Sequence, residues 1–359
     1  MKKILSLILA LVATTTLWAQ SSSTTAEADF QLGLRYFKEG NQTEAVKYLR
    51  LAAQQGLASA QCVLGSCYYN GDGVTKDYTE AVKYYRLAAQ QGLDQAQYAL
   101  GACYEDGTGV TQSYTEAVKY YRLAAQQGYA KAQNALGICY YSGKGVTQSY
   151  TEAVKYHRLA AQQGYANAQM LLAGCYEMGT GVTQNYTEAV KYLRLAAQQG
   201  LDLAQYALGI YYEDGTGVTQ SYTEAVKYYR LAAQQGLDMA QNALGTCYYL
   251  GTGVTQNYTE AVKYCRLAAQ QGYAKAQHVL GNCYYNGTGV TQNYTEAVKY
   301  YRLAAQQGLD IAQYALGICY YRGKGVTQSD TEARKWFEKA AAQGHKGAME
   351  MLDPYLYIQ

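Results

Sequence analysis

The segment around Ala81 returns at Ala45, Ala117, Ala153, Ala189, Ala225, Ala261, Ala297 and Ala333, always 36 residues apart, and this periodicity constrains the fold more than any other feature. A chain of nine near-copies must solve one packing problem nine times over. Read from Leu93, one copy is LDQAQYALGACYEDGTGVTQSYTEAVKYYRLAAQQG, with two apolar stretches around a Gly-rich break. In the first stretch Ala96, Leu100 and Tyr104 recur every four residues, the spacing of one helical face. In the second, Ala117, Tyr120 or Tyr121, Ala124 and Ala125 do the same. The spacing predicts a helix, a turn of six or seven residues and a second helix in every copy.

The expected boundaries have a chemical cause. Ser113, with Glu116 three residues on, reads as a capping box in which the hydroxyl accepts an early backbone N–H and the carboxylate reaches back to the cap. Asp77, Asn185, Asn257 and Asn293 share that column, and Gly107 and Gly128 close the two helices in the left-handed conformation. A lone helical hairpin buries too little apolar surface to offset the entropy of ordering it, so each must stack on the next. The expected fold class is all-α: a right-handed α-solenoid of about nine 36-residue helix-turn-helix repeats. Residues 28–56, short of four turn residues, form an N-terminal capping repeat; residues 57–344 hold eight full repeats; residues 345–359 form a closing helix and tail.

Ahead of the repeats, Lys2 and Lys3, the apolar run Ile4 to Ala13 and the small residue Ala19 read as a signal peptide over residues 1–19, followed by a short linker at 20–27. The expectation is export to the periplasm or beyond the cell, with no membrane span once the leader is removed. An apolar share of 49% with a single Pro excludes a disordered or collagen-like chain. A formal net charge of +3, from 30 basic and 27 acidic side chains, gives no field suited to phosphate backbones, so nucleic acid is not an expected partner.

Ala60, Leu64, Gly65, Tyr68, Gly71, Gly73, Val74, Asp77, Ala81, Tyr84, Ala88, Ala89 and Gly92 together resemble the Sel-one-like repeat, a relative of the tetratricopeptide repeat, and the resemblance covers about residues 28–352. Two departures stand out. The aromatic after the central Ala, often Trp in the family, is Tyr here until Trp336, and the cap, often Asp, is mostly Ser or Asn. The resemblance implies a protein-binding scaffold or adaptor of bacterial, often exported type.

No enzyme motif accompanies the repeats. His157, His278 and His345 sit in unlike columns, so no two form a zinc pair on one helix face, and GTGVTQ lacks the residues of a phosphate cradle. The pairs Glu105–Asp106 and Glu213–Asp214 read as solvated helix ends, and Glu116, Lys119 and Arg122 as a solvated face. Cys67, Cys103, Cys139, Cys175, Cys247, Cys283 and Cys319 form one column on stacked helices, too far apart for unstrained bridges, and read as free, shielded thiols. Exported cysteine-rich relatives look to carry two Cys per repeat, a feature that does not carry over. Cys62 and Cys265 stand outside the column and are expected to be the reactive ones. No catalytic residue, metal or cofactor is expected.

What varies between copies is the remaining signal. The second helix changes chiefly at one position, occupied by Tyr85, Tyr121, His157, Leu193, Tyr229, Cys265, Tyr301 and Phe337. The first helix changes in four columns separated by three, four and four residues, which places them on one stripe. From this stripe Tyr98, Lys131, Asn134, Ile138, Met170, Met178, Leu203, Tyr206, Ile210, Met239, Asn242, Lys275, His278, Asn282, Ile311, Tyr314, Ile318 and Arg322 are the candidate partner-binding residues. First helices line the concave surface in related solenoids, so the resemblance puts this stripe in the groove. Aromatic, Met and amide side chains suit a peptide or protein ligand, bound by a monomer. The alternatives are neutral drift at exposed positions, a structural or surface-display role, and a cell-wall or β-lactam amide hydrolase.

Overall fold

The computed structural model describes residues 25–352; the expected leader and the tail beyond residue 352 lie outside them. Among the described residues there are 19 α-helices and no strand. They alternate as first (A) and second (B) helices of successive repeats: α1 (Thr25–Lys38) with α2 (Gln42–Gln54), α3 (Ala58–Asn70) with α4 (Tyr78–Gln90), α5 (Asp94–Asp106) with α6 (Tyr114–Gln126), and α7 (Ala130–Ser142) with α8 (Tyr150–Gln162). The series goes on through α9 (Ala166–Met178), α10 (Tyr186–Gln198), α11 (Asp202–Asp214), α12 (Tyr222–Gln234), α13 (Asp238–Leu250) and α14 (Tyr258–Gln270). It ends with α15 (Ala274–Asn286), α16 (Tyr294–Gln306), α17 (Asp310–Arg322), α18 (Asp330–Ala341) and the half-repeat α19 (Lys346–Leu352). The chain is therefore an all-α repeat protein. Residues 25–27, expected as linker, are instead the first turn of α1, because Ala26 is buried.

The helices fall into two compact units, α1–α9 up to Gln184 and α10–α19 from Asn185. Within each, the A and B helices of a repeat pack as a pair and each B helix packs on the next A helix. The shared interior is made of small and medium residues: Leu100, Ala117, Ala124, Ala132 and Leu136 are fully buried in the first unit, as are Leu208, Ala232, Ala240 and Leu244 in the second.

One half of the expected capping box forms. Ser113 accepts the Glu116 N–H at 3.3 Å, and Asp77, Asn185, Asn257 and Asn293 accept the corresponding N–H groups. The other half is replaced, because the Ser113 N–H already donates to the Tyr104 carbonyl at 2.9 Å across the turn. The freed Glu116 carboxylate pairs with Lys119 at 3.0 Å. The turn itself, seven residues from Gly107 to Ser113, is fixed from both ends. Gln112 Nε2 donates to the otherwise open Glu105 carbonyl at 2.8 Å, and Gly109, at φ +73°, lies hard against the Tyr78 carbonyl of the preceding repeat. Close approach, as well as backbone freedom, is why the second Gly of GTG is needed.

Repeats are joined by constant polar residues. In the column of Gln61, Gln97, Gln133, Gln205, Gln241, Gln277 and Gln313 the amide is buried. Gln133 Nε2 donates to the Ala125 carbonyl of the previous B helix at 3.3 Å, while its Oε1 accepts Gln163 Nε2 of its own repeat at 2.7 Å. Each such amide ties three helices together and satisfies a carbonyl at a helix C-terminus. On the outer face Lys119 lies over the Tyr120 ring, Tyr120 stacks on Tyr104, and Arg122 donates to the Tyr140 hydroxyl of the next repeat at 3.4 Å. The face expected to be merely solvated is thus a second seam between repeats.

Candidate functional site

The candidate residues divide by depth. The most exposed lie in the outer columns: Met178 keeps 58% of its surface, Ile138, Leu203 and Ile311 are exposed as well, and Leu250, in the column of Met178 though outside the candidate set, keeps 62%. Large apolar side chains held in water on one stripe are the kind of surface a partner covers. Lys275, Arg322 and Asn286 are exposed, Lys131 and Met239 half-buried.

The column of Tyr98, Asn134, Met170, Tyr206, Asn242, His278 and Tyr314 sits deeper, and the reason is the variable position of the B helix. That position, expected only to be unlike between copies, is buried in every repeat. Its side chain lies over a helix-A glycine whose missing Cβ makes room: Tyr121 over Gly101, His157 over Gly137, Tyr229 over Gly209, Cys265 over Gly245, Tyr301 over Gly281 and Phe337 over Gly317. Helix A supplies what that side chain requires, from the stripe at Ser66 and Asn282 and from the position beside it at Glu105 and Glu213. Tyr85 donates to Ser66 Oγ at 3.1 Å, Tyr301 to Asn282 Oδ1 at 2.7 Å and Tyr121 to Glu105 Oε2 at 2.6 Å, and Tyr229 donates to Glu213. Glu105 and Glu213 are therefore acceptors for buried phenols rather than solvated helix ends; a buried hydroxyl needs such a partner. His157 Nδ1 lies 3.1 Å from Asn134 Oδ1. Asn134 is buried by this pairing and withdrawn from the surface a ligand meets.

Two cavities open on the stripe of the second unit. One, of about 320 Å³, lies between α15 and α17 and gathers His278, Asn282, Ile311, Tyr314, Ile318 and Arg322 from the candidate set, with Asn286 from the same columns and Tyr285, Tyr301, Ala315 and His345 completing it. The other, of about 200 Å³ between α11 and α13, gathers Tyr206 and Ile210 with Glu213, Tyr229, Thr246 and Leu250. Leu203, Met239, Asn242 and Lys275 line neither. Aromatic packing holds the first cavity's wall: Tyr314 tilts against Phe337 at 5.8 Å and stacks on His345 at 4.6 Å, and His278 lies 5.9 Å from the Tyr301 ring. Burial lowers the pKa of His278, opposed by the charge of Asp310.

All nine thiols are free and buried, as the column spacing implied for seven of them. Cys62 and Cys265, expected to be reactive, are fully buried, because Cys62 belongs to the deep column and Cys265 to the B-helix position over Gly245. Burial pushes both thiols up to about 12, which removes the thiolate that reacts. Thiol titration of the native protein at mildly alkaline pH is expected to label none of the nine within minutes and all nine after denaturation. Rapid native labelling would contradict this burial. Among the described residues no group of three or more His, Cys, Asp or Glu is placed to hold a metal, and no helix is long and apolar enough to cross a membrane.

With this geometry in place the comparisons decide the family. The Sel1 repeat model matches nine times in succession, at residues 26–57, 58–93, 94–129, 130–165, 166–201, 202–237, 238–273, 274–309 and 310–345. The chain belongs to the Sel1 repeat family. A Sel1 repeat protein from Oxalobacter formigenes is 30% identical with a TM-score of 0.64, over 94% of this chain and 98% of that one. The protective antigen c5321 of uropathogenic Escherichia coli, described as having an SLR fold, is 32% identical with a TM-score of 0.58, over 92% of this chain and 81% of that one. No curated protein matches the chain with significance. Sel1 repeat proteins generally serve as scaffolds for protein interactions, and the family's helix pairs are the ones described above.

Proposed function

We propose that the chain is an exported, monomeric, non-catalytic scaffold that holds an extended segment of another protein along the variable stripe of its A helices. The observation that carries this reading is the cavity between α15 and α17. Seven of its lining residues, His278, Asn282, Asn286, Ile311, Tyr314, Ile318 and Arg322, come from the four variable columns. Neutral drift would scatter diversity over the exposed surface. In the second unit part of it instead borders the two cavities, and part, at Leu250 and Ile311, places large apolar side chains in water. Export is supported by the leader-like residues 1–19 and by the likeness to a bacterial protective antigen. The shielded thiols leave none of the nine Cys suited to act as a nucleophile, which counts against an amide hydrolase.

The test is selection of phage-displayed random peptides on the purified protein, followed by affinity measurement on a Leu250→Ser, Ile311→Ser, Ile318→Ser variant. Tyr206 and Tyr314 are left in place because they pack on Tyr229 and Phe337. Selected peptides should lose roughly tenfold or more in affinity, as expected when apolar anchors are removed from a recognition surface, with helicity unchanged. Failure to enrich any peptide, or affinities equal to those of the parent, would sink the groove assignment.

A further inference from the structure

We propose that the cavity between α15 and α17 receives one acidic side chain, a glutamate within an extended peptide, with Arg322 as its counter-charge. This rests on the stripe being a peptide surface and adds what the peptide must carry. No carboxylate lines the cavity, whereas the Arg322 guanidinium at its edge has no ion-pair partner among the described residues. The amide of Asn286, the last residue of α15, likewise makes no side-chain hydrogen bond among them. His345 adds a donor: its Nδ1 accepts the Ala348 N–H at 3.2 Å, which leaves the ring proton on Nε2. An unpaired cation, an unused amide and an imidazole N–H around one opening form a set complementary to a carboxylate.

Two local explanations are weaker. A base in the last turn of α17 suits the helix dipole, yet the same column elsewhere holds Asn70, Asp106, Ser142, Met178, Asp214, Leu250 and Asn286, so the repeat does not require a base there. Asp310, the acid that acts on His278, is at the opposite end of α17, about 18 Å along the helix from Arg322. It leaves the Arg322 end positive. The cavity between α11 and α13 has the reverse character, with Glu213 in its wall and no base. Charge therefore differs from one cavity to the other within the second unit, as a surface that reads a particular sequence requires. The stripe continues on α13 with Met239 and Leu250, so a chain can pass across the cavity rather than end in it. A side chain, not a chain terminus, is the occupant we assign.

The probe is a fluorescent, terminally blocked peptide with one central glutamate flanked by leucine and serine, measured by anisotropy on the full chain beside its glutamine and lysine counterparts. The glutamate peptide should bind roughly tenfold more tightly than the glutamine one, the effect of one desolvated charge-assisted pair. Arg322→Ala should erase that difference, and Arg322→Glu should favour lysine. Equal affinity for all three peptides, reduced by Ile311→Ser, would overturn the charge assignment while leaving the peptide surface standing. No binding of the glutamate peptide, a preference surviving in Arg322→Glu, or glutamine binding restored by an unblocked C-terminus would each overturn the proposal.

Discussion

Gly109→Ala is expected to destabilise the first unit by about 3–4 kcal/mol, the sum of a left-handed backbone penalty and an overpacking penalty. Gly109 has φ +73°, and a Cβ built on it would lie 2.2 Å from the Tyr78 carbonyl oxygen and 2.6 Å from its carbon. The obstacle is backbone at the start of α4, held there by the Asp77 cap on Thr79 and Glu80, so it cannot step aside as a side chain would. Gly92→Ala is the control. It has φ +88° but nothing within 4 Å of the added methyl, so only the conformational penalty of about 1 kcal/mol applies. Denaturant unfolding followed by helical ellipticity should separate the two variants by about 2 kcal/mol or more. Similar losses for both would mean that the GTG turn does not press on the preceding repeat.

The second large effect is one of pH. Burial lowers the pKa of His157 to about 4, and the ring is held neutral against Asn134. The unfolded chain binds a proton near pH 6.5, the folded one only near pH 4, so between these values the unfolded state carries more protons. The neutral ring's contribution is fully present above about pH 6.5 and is lost as pH falls through that window, by about 3 kcal/mol in all. His157→Phe should remove this slope, since Phe337 occupies the same position over Gly317. The ring's proton resonances should titrate near pH 4 in the folded protein. Urea midpoints compared at about pH 7 and about pH 4.5 should show the parent losing more stability than the variant. A ring that titrates near pH 6.5 would show that it is solvated.

The helices and their ends were legible because each rests on local chemistry: the four-residue spacing of Ala96, Leu100 and Tyr104 marks a buried face, and Gly107 in the left-handed conformation marks its end. The Gln133 column was not recognised, because a polar residue inside an apolar helix face declares its use only when the carbonyl and amide it joins are in view. Its constancy in the eight full repeats was the available signal. Part of the stripe's diversity answers to the B helix rather than to anything outside the repeat. Asn134 accompanies His157, and Tyr314 accompanies Phe337. Such pairing joins two helices across a turn, so the variation of either helix alone does not reveal it. The cavities depend on how A helices of neighbouring repeats are spaced, which no single repeat's sequence encodes.

The contacts also sort by where they are made. Bonds that cross from one repeat to the next use residues common to nearly all of them, such as Gln133 to Ala125 and Arg122 to Tyr140, whereas the idiosyncratic pairs, His157 with Asn134 or Tyr301 with Asn282, stay inside one repeat. The ring contacts Tyr98–Tyr129 and Tyr314–His345, and the placement of Lys144 over Tyr114 and of Lys324 over Tyr294, are exceptions. Recombination that adds or deletes one 36-residue module would thus move a self-contained set of interior choices between interchangeable couplings, and the gene could lengthen, shorten or reshuffle its product without a compensating mutation elsewhere.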